Sequence, residues 1–302
     1  MMLEKADVMA LRVAEEAGKL VSEEQLAAAG LERSEYQERI NRLEKSGVIR
    51  CFKVVGAAPP LLGGDWVMGA LMASAAQPVA AADALRRRLL FVTEILINCG
   101  VPAGLGPNLG MLFYSRDFET EARFIQDMSE FDYREVSRVA DYSFPVAVPI
   151  SADEKQLVHF LLANPGSDIA ELSAGIGRDP VWLRVKLDRL LCGEHNPAGI
   201  LRVQPEIDWS GVENFGHFHF LLETGHLPDQ LRQLLAGTEF SLVRDGFPYR
   251  GRFVQVEADV WGTADLMEKI GSLERITGIR VAGVLWNREW TICDDWVKRI
   301  FV

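Results

Sequence analysis

Two histidines alternate with two phenylalanines in the last third of the chain. His217 and His219 are separated by Phe218 and followed by Phe220, and the two-residue period of a strand places both imidazoles on one face of a sheet. Such a pair could bind a metal ion or the iron of a tetrapyrrole. Two hydrogen-bonded structural histidines between packed sheets would give the same pattern, and the sequence identifies no third ligand. We therefore treat the pair as ligand-binding candidates and predict no metal site.

A basic and aromatic segment follows at a predicted hairpin loop, with Arg244, Tyr249, Arg250 and Arg252. Guanidinium groups hold carboxylates through paired hydrogen bonds, so these residues are further candidates for binding a small-molecule effector. A basic surface loop is the alternative interpretation. The sequence contains no Ser/His/Asp or Cys/His arrangement, and we predict no catalytic residue.

The segment from Gln37 to Arg50 has the pattern of a recognition helix and a wing. Tyr36, Ile40 and Leu43 lie at helical spacing, which predicts one apolar face. Gly47 is suited to end that helix, and the alternation over 48–54 is typical of a strand. We interpret the segment as part of a winged helix-turn-helix that includes a strand hairpin.

The same pattern recurs about 147 positions later. Leu183, Leu187 and Leu190 repeat the helical spacing, and Gly199–Arg202 corresponds to Gly47–Arg50. A helix, its stop and its strand repeated at this distance indicate an internal duplication.

Both predicted recognition helices carry cations that could contact DNA phosphates or base edges. The candidates are Arg33, Arg39 and Arg42 in the first copy, and Arg178, Arg184, Lys186 and Arg189 in the second. In the first copy, Glu35 and Glu38 are interleaved with the arginines, and a solvated helix face with internal ion pairs is the alternative. The net charge is −11, so binding to DNA would require local basic patches.

The remaining segments predict two β-α-β-β-α-β series, the ferredoxin-like arrangement. We expect an α+β fold of two tandem copies, each a winged helix-turn-helix followed by a ferredoxin-like ligand-binding domain. The predicted domains are 1–56, 64–149, 150–209 and 213–302, the last including a C-terminal tail. Pro145 and Pro149 mark the boundary between the copies.

The stretch Arg39–Arg50 resembles the recognition-helix-to-wing sequence of the Lrp/AsnC family of transcriptional regulators, and the domain order extends this resemblance over nearly the whole chain. The resemblance implies a DNA-binding regulator that responds to a small-molecule effector. It also implies that the two copies pack their sheets together as an internal pseudo-dimer, on which a homo-oligomer could be built. Double-stranded DNA and the effector are the expected partners, and no cofactor is expected.

An enzymatic branch of this superfamily, the siroheme decarboxylases, is the alternative. Asn108–Phe113 and Phe247–Tyr249 resemble segments of that branch. Its histidines are replaced here by Val92–Glu94 and Ser241–Val243, so the alternative includes a tetrapyrrole-binding relative without decarboxylase activity. Haem or siroheme is the cofactor implied by this alternative.

The composition is typical of a globular protein. Cys51, Cys99, Cys192 and Cys293 are scattered, and we predict that they are reduced. The sequence has no apolar run of the roughly 20 residues that span a bilayer and no signal segment at its start. We therefore expect a cytoplasmic protein with no membrane partner.

Overall fold

A computed structural model of the chain describes residues 1–99, 106–191, 199–243 and 253–301. Several sequence-based predictions therefore lie outside the described residues, namely those for the loop 100–105, Cys192, Arg244, Tyr249, Arg250 and Arg252.

The first helical unit contains α1 (Lys5–Ala17), α2 (Glu23–Ala28) and α3 (Arg33–Lys45). Ser22 caps α2 through a capping box, in which its hydroxyl accepts from the backbone N–H of Gln25. Gly47 follows α3 with a φ of 78°, a conformation that glycine adopts without strain.

Strand β1 (Ile49–Gly56) does not form the predicted wing hairpin within its own unit. It pairs antiparallel with β6 (Leu201–Ile207) of the second helical unit. Val54 lies opposite Val203, and both side chains are buried. Because β1 buries apolar residues along most of its length, a partner strand from the second unit covers it better than an exposed hairpin would. The predicted linker after β1 contains a short helix, α4 (Ala58–Leu62).

The second helical unit consists of α7 (Ala152–Ala163), α8 (Ile169–Ile176) and α9 (Pro180–Leu190). Ser151 and Asp168 form capping boxes at the starts of α7 and α8. The two helical units share one hydrophobic cluster, to which Tyr36 and Leu187 both belong. Their apolar faces are therefore buried against a common core.

Two β-α-β-β-α-β series follow the helical units. The first contains β2 (Gly64–Ala75), α5 (Pro78–Arg88), β3 (Phe91–Cys99), β4 (Leu109–Ser115), α6 (Phe118–Asp127) and β5 (Phe131–Phe144). The second contains β7 (Gly216–Thr224), α10 (Pro228–Leu235), β8 (Ser241–Leu242), β9 (Phe253–Val260), α11 (Gly262–Glu274) and β10 (Ile279–Ile292).

All eight strands of these series belong to one sheet, in the order β5-β2-β4-β3-β10-β7-β9-β8. Each half has the ferredoxin-like order, and the halves join where the second part of β10 pairs with β3. The family resemblance implied face-to-face packing of the two copies and not this shared edge. The faces also meet, because Met72 of β2 packs in one buried cluster with Leu221, Phe253 and Leu285 of the second half.

The C-terminal tail contributes to both the sheet and the helical core. β10 extends through Trp290 to Ile292, and α12 (Asp295–Phe301) follows. Trp296 and Val297 of α12 are buried in the core shared by the two helical units. None of the described helices has the length and apolar character needed to cross a membrane.

Candidate functional site

The histidine pair lies on the face of the second half that points away from its own helices, which we call the inner face. Phe218 and Phe220 point towards α10 and α11, with Phe220 in the core on that side. His217 and His219 point the other way with Leu221, in keeping with the period of a strand. Leu221 contacts Met72 of the first half, so the histidines lie on the face turned towards the first half.

Strand β9 places carboxylates beside both histidines. Asp259 lies opposite His217 and Glu257 lies opposite His219 in the strand register. His217 Nδ1 is 3.1 Å from Asp259 Oδ1, and its Nε2 is 3.5 Å from Glu257 Oε2. His219 Nε2 is also 3.5 Å from Glu257 Oε2. One carboxylate oxygen therefore faces both imidazole rings.

These contacts give the two histidines different protonation states. Burial opposes protonation of His217, but its bonds to Asp259 and Glu257 outweigh burial and raise its pKa to about 9. Burial, and next the charge of His217, lowers the pKa of His219 to about 4. At neutral pH His217 is a cation paired with carboxylates, and His219 is a neutral imidazole that can act as a ligand.

Helix α1 of the first helical unit closes this cluster. Arg12 donates to Asp259 at 2.5 Å and to Glu15 at 2.9 Å. Burial raises the pKa of the Glu15 carboxyl more than Arg12 lowers it. The carboxylate that orients His217 is thus held by a residue more than 240 positions away in the sequence.

A cavity of about 210 Å³ lies between the strands of the first half and strand β6. Its apolar wall includes Met68, Leu112 and Tyr142, and its polar groups include Glu94, Arg202 and Gln204. Burial raises the pKa of Glu94, more than the charge of Arg202 lowers it. The charge of Glu15 also raises the pKa of Glu94, but less than burial does.

Several buried polar atoms between the halves have no hydrogen-bond partner among the described residues. They include Asn98 Oδ1, Asn287 Oδ1, His219 Nδ1, both amide atoms of Gln255, and Gln204 Oε1. Asn98 lies opposite Asn287 where β3 joins β10. Buried polar groups are nearly always hydrogen-bonded in proteins, so these atoms are positioned to bond to ordered water or to a polar ligand.

The predicted DNA-contacting cations of α3 are held by acidic side chains. Arg39 bonds to Glu35 and to the fully buried Asp7, at 2.8 and 3.1 Å, and Arg42 also pairs with Asp7. Arg33 pairs with Glu23 and donates to the carbonyl of Val21. Only the Arg39–Glu35 pair lies within α3, as in the alternative interpretation, whereas Asp7 belongs to α1 and Glu23 to α2.

Three of the four candidates around α9 are also engaged. Arg178 pairs with Asp153, while Lys186 and Arg189 pair with the buried Glu154. Arg184 is exposed and has no ion-pair partner among the described residues. It is the candidate cation that the described structure leaves available to an external anion.

Most of the groups around the histidines could not be identified from the sequence, namely Arg12, Glu15, Glu257 and Asp259. One signal was present, because Gln255, Glu257 and Asp259 alternate with apolar residues on one strand. That alternation places three polar groups on the same sheet face as the histidines. The contribution of α1 has no comparable signal in the sequence.

No protein-family model and no curated protein matches the chain. Among solved structures, the siroheme decarboxylase NirDL is 14% identical, with a TM-score of 0.45, over 98% of this chain and 96% of that chain. AsnC of E. coli is 17% identical, with a TM-score of 0.29, over 50% of this chain and 99% of that chain. The regulator NMB0573 of Neisseria meningitidis, solved with L-Met, is 19% identical, with a TM-score of 0.30, over 49% of this chain and 97% of that chain.

The similar solved structures therefore include both groups named from the sequence, the Lrp/AsnC regulators and the siroheme decarboxylases. These similarities are too distant to assign a function to the chain.

Proposed function

We propose that this chain is a small-molecule-binding protein of Lrp/AsnC-like organisation, whose ligand binds in the cavity at Glu94, Arg202 and Gln204. The observation that carries the proposal is that this cavity is built from both halves of the chain. Its apolar wall comes mostly from the first half, and Arg202 and Gln204 come from β6 of the second helical unit. A ligand there would contact both the first half and β6, and could therefore change their relative position.

The lining groups define the chemistry of the ligand. Arg202 suits a carboxylate, and the unpartnered Gln204 Oε1 suits a hydrogen-bond donor. Met68, Leu112 and Tyr142 suit an apolar body. The cavity, at about 210 Å³, is smaller than the roughly 300–1,000 Å³ typical of drug-sized ligands. A free amino acid with an apolar side chain meets these requirements.

The cavity also has the position needed for an effector site. We infer that the repeated element order reflects two copies of one ancestral unit, and that their sheets and paired strands β1 and β6 make an internal pseudo-dimer. The ligand would shift the pose of the helical units only if it bound the two poses with unequal affinity. Residues of β6 in the cavity wall provide the contact through which that difference could arise.

Titration calorimetry of the full-length protein tests the proposal, with L-leucine, L-methionine and L-phenylalanine as probes. We expect at least one probe to bind with one-to-one stoichiometry, and Arg202→Gln to weaken that binding at least about tenfold, since one bond to a charged group contributes roughly 1.5–3 kcal/mol. Arg184→Gln is the matched control, because Arg184 is an exposed arginine outside the cavity. Absence of binding by all three probes, or equal binding by the Arg202 variant, would contradict the proposal.

DNA binding is a second candidate function, and the availability of Arg184 favours it for α9 over α3. Both helical units are slightly acidic, with ten acidic and nine basic residues in 1–56 and nine acidic and six basic residues in 150–209. Any contact with DNA would therefore depend on a local group of basic side chains and not on the net charge of a unit. Retention of duplex DNA at low salt that is lost in Arg184→Ala would support it, and no retention by the wild-type protein would remove it.

The described cavity does not fit a tetrapyrrole. A macrocycle with its side chains is far larger than about 210 Å³. A Soret band on addition of haem, lost in His219→Ala, would contradict this conclusion and favour the decarboxylase-like alternative.

A further inference from the structure

We propose that His217, His219 and Glu257 form a binding site for a divalent transition-metal ion, for which Zn²⁺ is the test occupant. This site is separate from the amino-acid-sized cavity and does not depend on the function proposed for it. It is also a departure from the sequence-based expectation that the histidines bind no metal.

The geometry of the three side chains carries the proposal. One ligand atom from each residue lies within 4.8 Å of the other two. The Nε2 atoms of both histidines are 3.5 Å from the same Glu257 oxygen. Zinc bonds of about 2.0–2.1 Å at tetrahedral angles would separate two ligand atoms by about 3.4 Å. The side chains are therefore already close to the spacing that a tetrahedral ion requires.

The surroundings of His217 match those of a metal ligand. Its Nδ1 is held by Asp259 and its Nε2 points at Glu257, so a bound ion would take the place of the proton on Nε2. Histidine ligands commonly donate their other ring N–H to a carboxylate in this way, and the carboxylate fixes the ring orientation. Arg12 in turn holds Asp259, so the outer groups are themselves anchored to helix α1.

His219 supplies a second, independent observation. Its side chain is 90% buried, and its Nδ1 has no hydrogen-bond partner among the described residues. Its Nε2 faces Glu257, and an ion shared with that carboxylate would offset the cost of burying the ring. The histidines and Glu257 together provide nitrogen and oxygen ligands, a combination that suits Zn²⁺ better than Mg²⁺ or Ca²⁺.

Three protein ligands leave one position of a tetrahedral ion open to water or a small ligand. The ion would also join β7 to β9. Through Asp259 and Arg12 it would connect the strands of the second half to the first helical unit. Metal binding is therefore expected to stabilise the contact between the halves.

The test uses the full-length protein after treatment with EDTA and removal of the chelator. We expect it to bind one Zn²⁺ per chain by calorimetry, and to give the visible absorption of four-coordinate Co²⁺. His219→Ala and Glu257→Ala should abolish the Co²⁺ spectrum. Asp259→Asn should weaken Zn²⁺ binding about 10–100-fold, as expected for a group that orients a ligand.

His159→Ala is the matched control, because His159 is exposed on α7, and it should bind metal like the wild-type protein. Circular dichroism establishes that each variant is folded. The wild-type titration alone can overturn the proposal: no Zn²⁺ or Co²⁺ binding would end it. Unchanged binding in folded His219→Ala or Glu257→Ala would assign the ion to a different place and would also end it.

Discussion

At the scale of single residues, the carboxyl of Glu94 should make the stability of the protein depend on pH. Burial raises its pKa above that of the unfolded chain, so the folded state resists losing this proton. Stability is therefore lost as the pH rises from the unfolded pKa through the folded one. We expect Glu94→Gln to raise the melting temperature at pH 8, with a smaller gain at pH 4.

Glu268→Gln is the control for this experiment, since Glu268 is exposed on α11, and its effect should be small at both pH values. A Glu94→Gln protein that melts below the wild-type protein at pH 8 would show that the ionised carboxylate is held by favourable contacts instead.

The histidine site shows how far residue-level inference from sequence can go. Alternation along β7 was sufficient to place His217 and His219 on one sheet face. It could not supply Glu257 and Asp259, because their positions depend on how β7 and β9 are paired, nor Arg12, which approaches from a distant helix. Local periodicity defines a face, whereas long-range pairing defines what lies on it.

At the scale of secondary-structure elements, Glu154 connects the start of α7 to α9. Burial opposes its ionisation, but bonds from Arg189 and Ser151 outweigh burial and lower its pKa to about 2. The stability that it contributes is present above the unfolded pKa of about 4.5 and is lost as the pH falls towards 2. We expect Glu154→Gln to cost about 2 kcal/mol of unfolding free energy at pH 7.

Denaturant unfolding at pH 7 and pH 3 measures this contribution, with Glu24→Gln, an exposed glutamate of α2, as the control. The difference between wild type and Glu154→Gln should shrink at the lower pH. A difference that is the same at both pH values would mean that the ion pairs contribute nothing to stability.

The contact between helix α1 and the paired strands depends on Gly18. A Cβ atom at this position would lie 2.7 Å from Val203 Cγ1, and the φ of 57° also disfavours other residues. Gly47 has a positive φ but open space around it. We expect Gly18→Ala to destabilise the protein by about 1–3 kcal/mol more than Gly47→Ala, the excess being the cost of overpacking.

Thermal and denaturant unfolding of the two variants provides the measurement. Equal losses would imply that β6 moves away from α1 at little cost, and that the two helical units are less tightly joined than the shared core indicates.

Elements with strong local signals were predicted well, and those decided by distant partners were not. Tyr36, Ile40 and Leu43 predicted the buried face of α3 because helical spacing is encoded within eight residues. The wing hairpin predicted for the first unit was wrong, because β1 pairs with β6, about 150 residues away. The same limitation explains why the shared edge of β3 and β10 was not predicted.

At the scale of the whole molecule, hydrogen-bonded strand pairs cross between the halves in two places, β1 with β6 and β3 with β10. The helical units also share their core. We expect fragments 1–149 and 150–302 to aggregate when produced separately and to form a one-to-one complex when produced together. Light scattering after size-exclusion chromatography distinguishes these outcomes, and two independently folded monomers would contradict the shared core.

Hydrogen–deuterium exchange of the full-length protein, with and without saturating L-methionine or whichever amino-acid probe binds most tightly, tests the central claim most directly. A ligand in the cavity between the halves should slow exchange in β3 and β6 together, because both strands supply residues to its wall. Protection confined to one half, or no protection with any of the probes, would contradict a ligand site built from both.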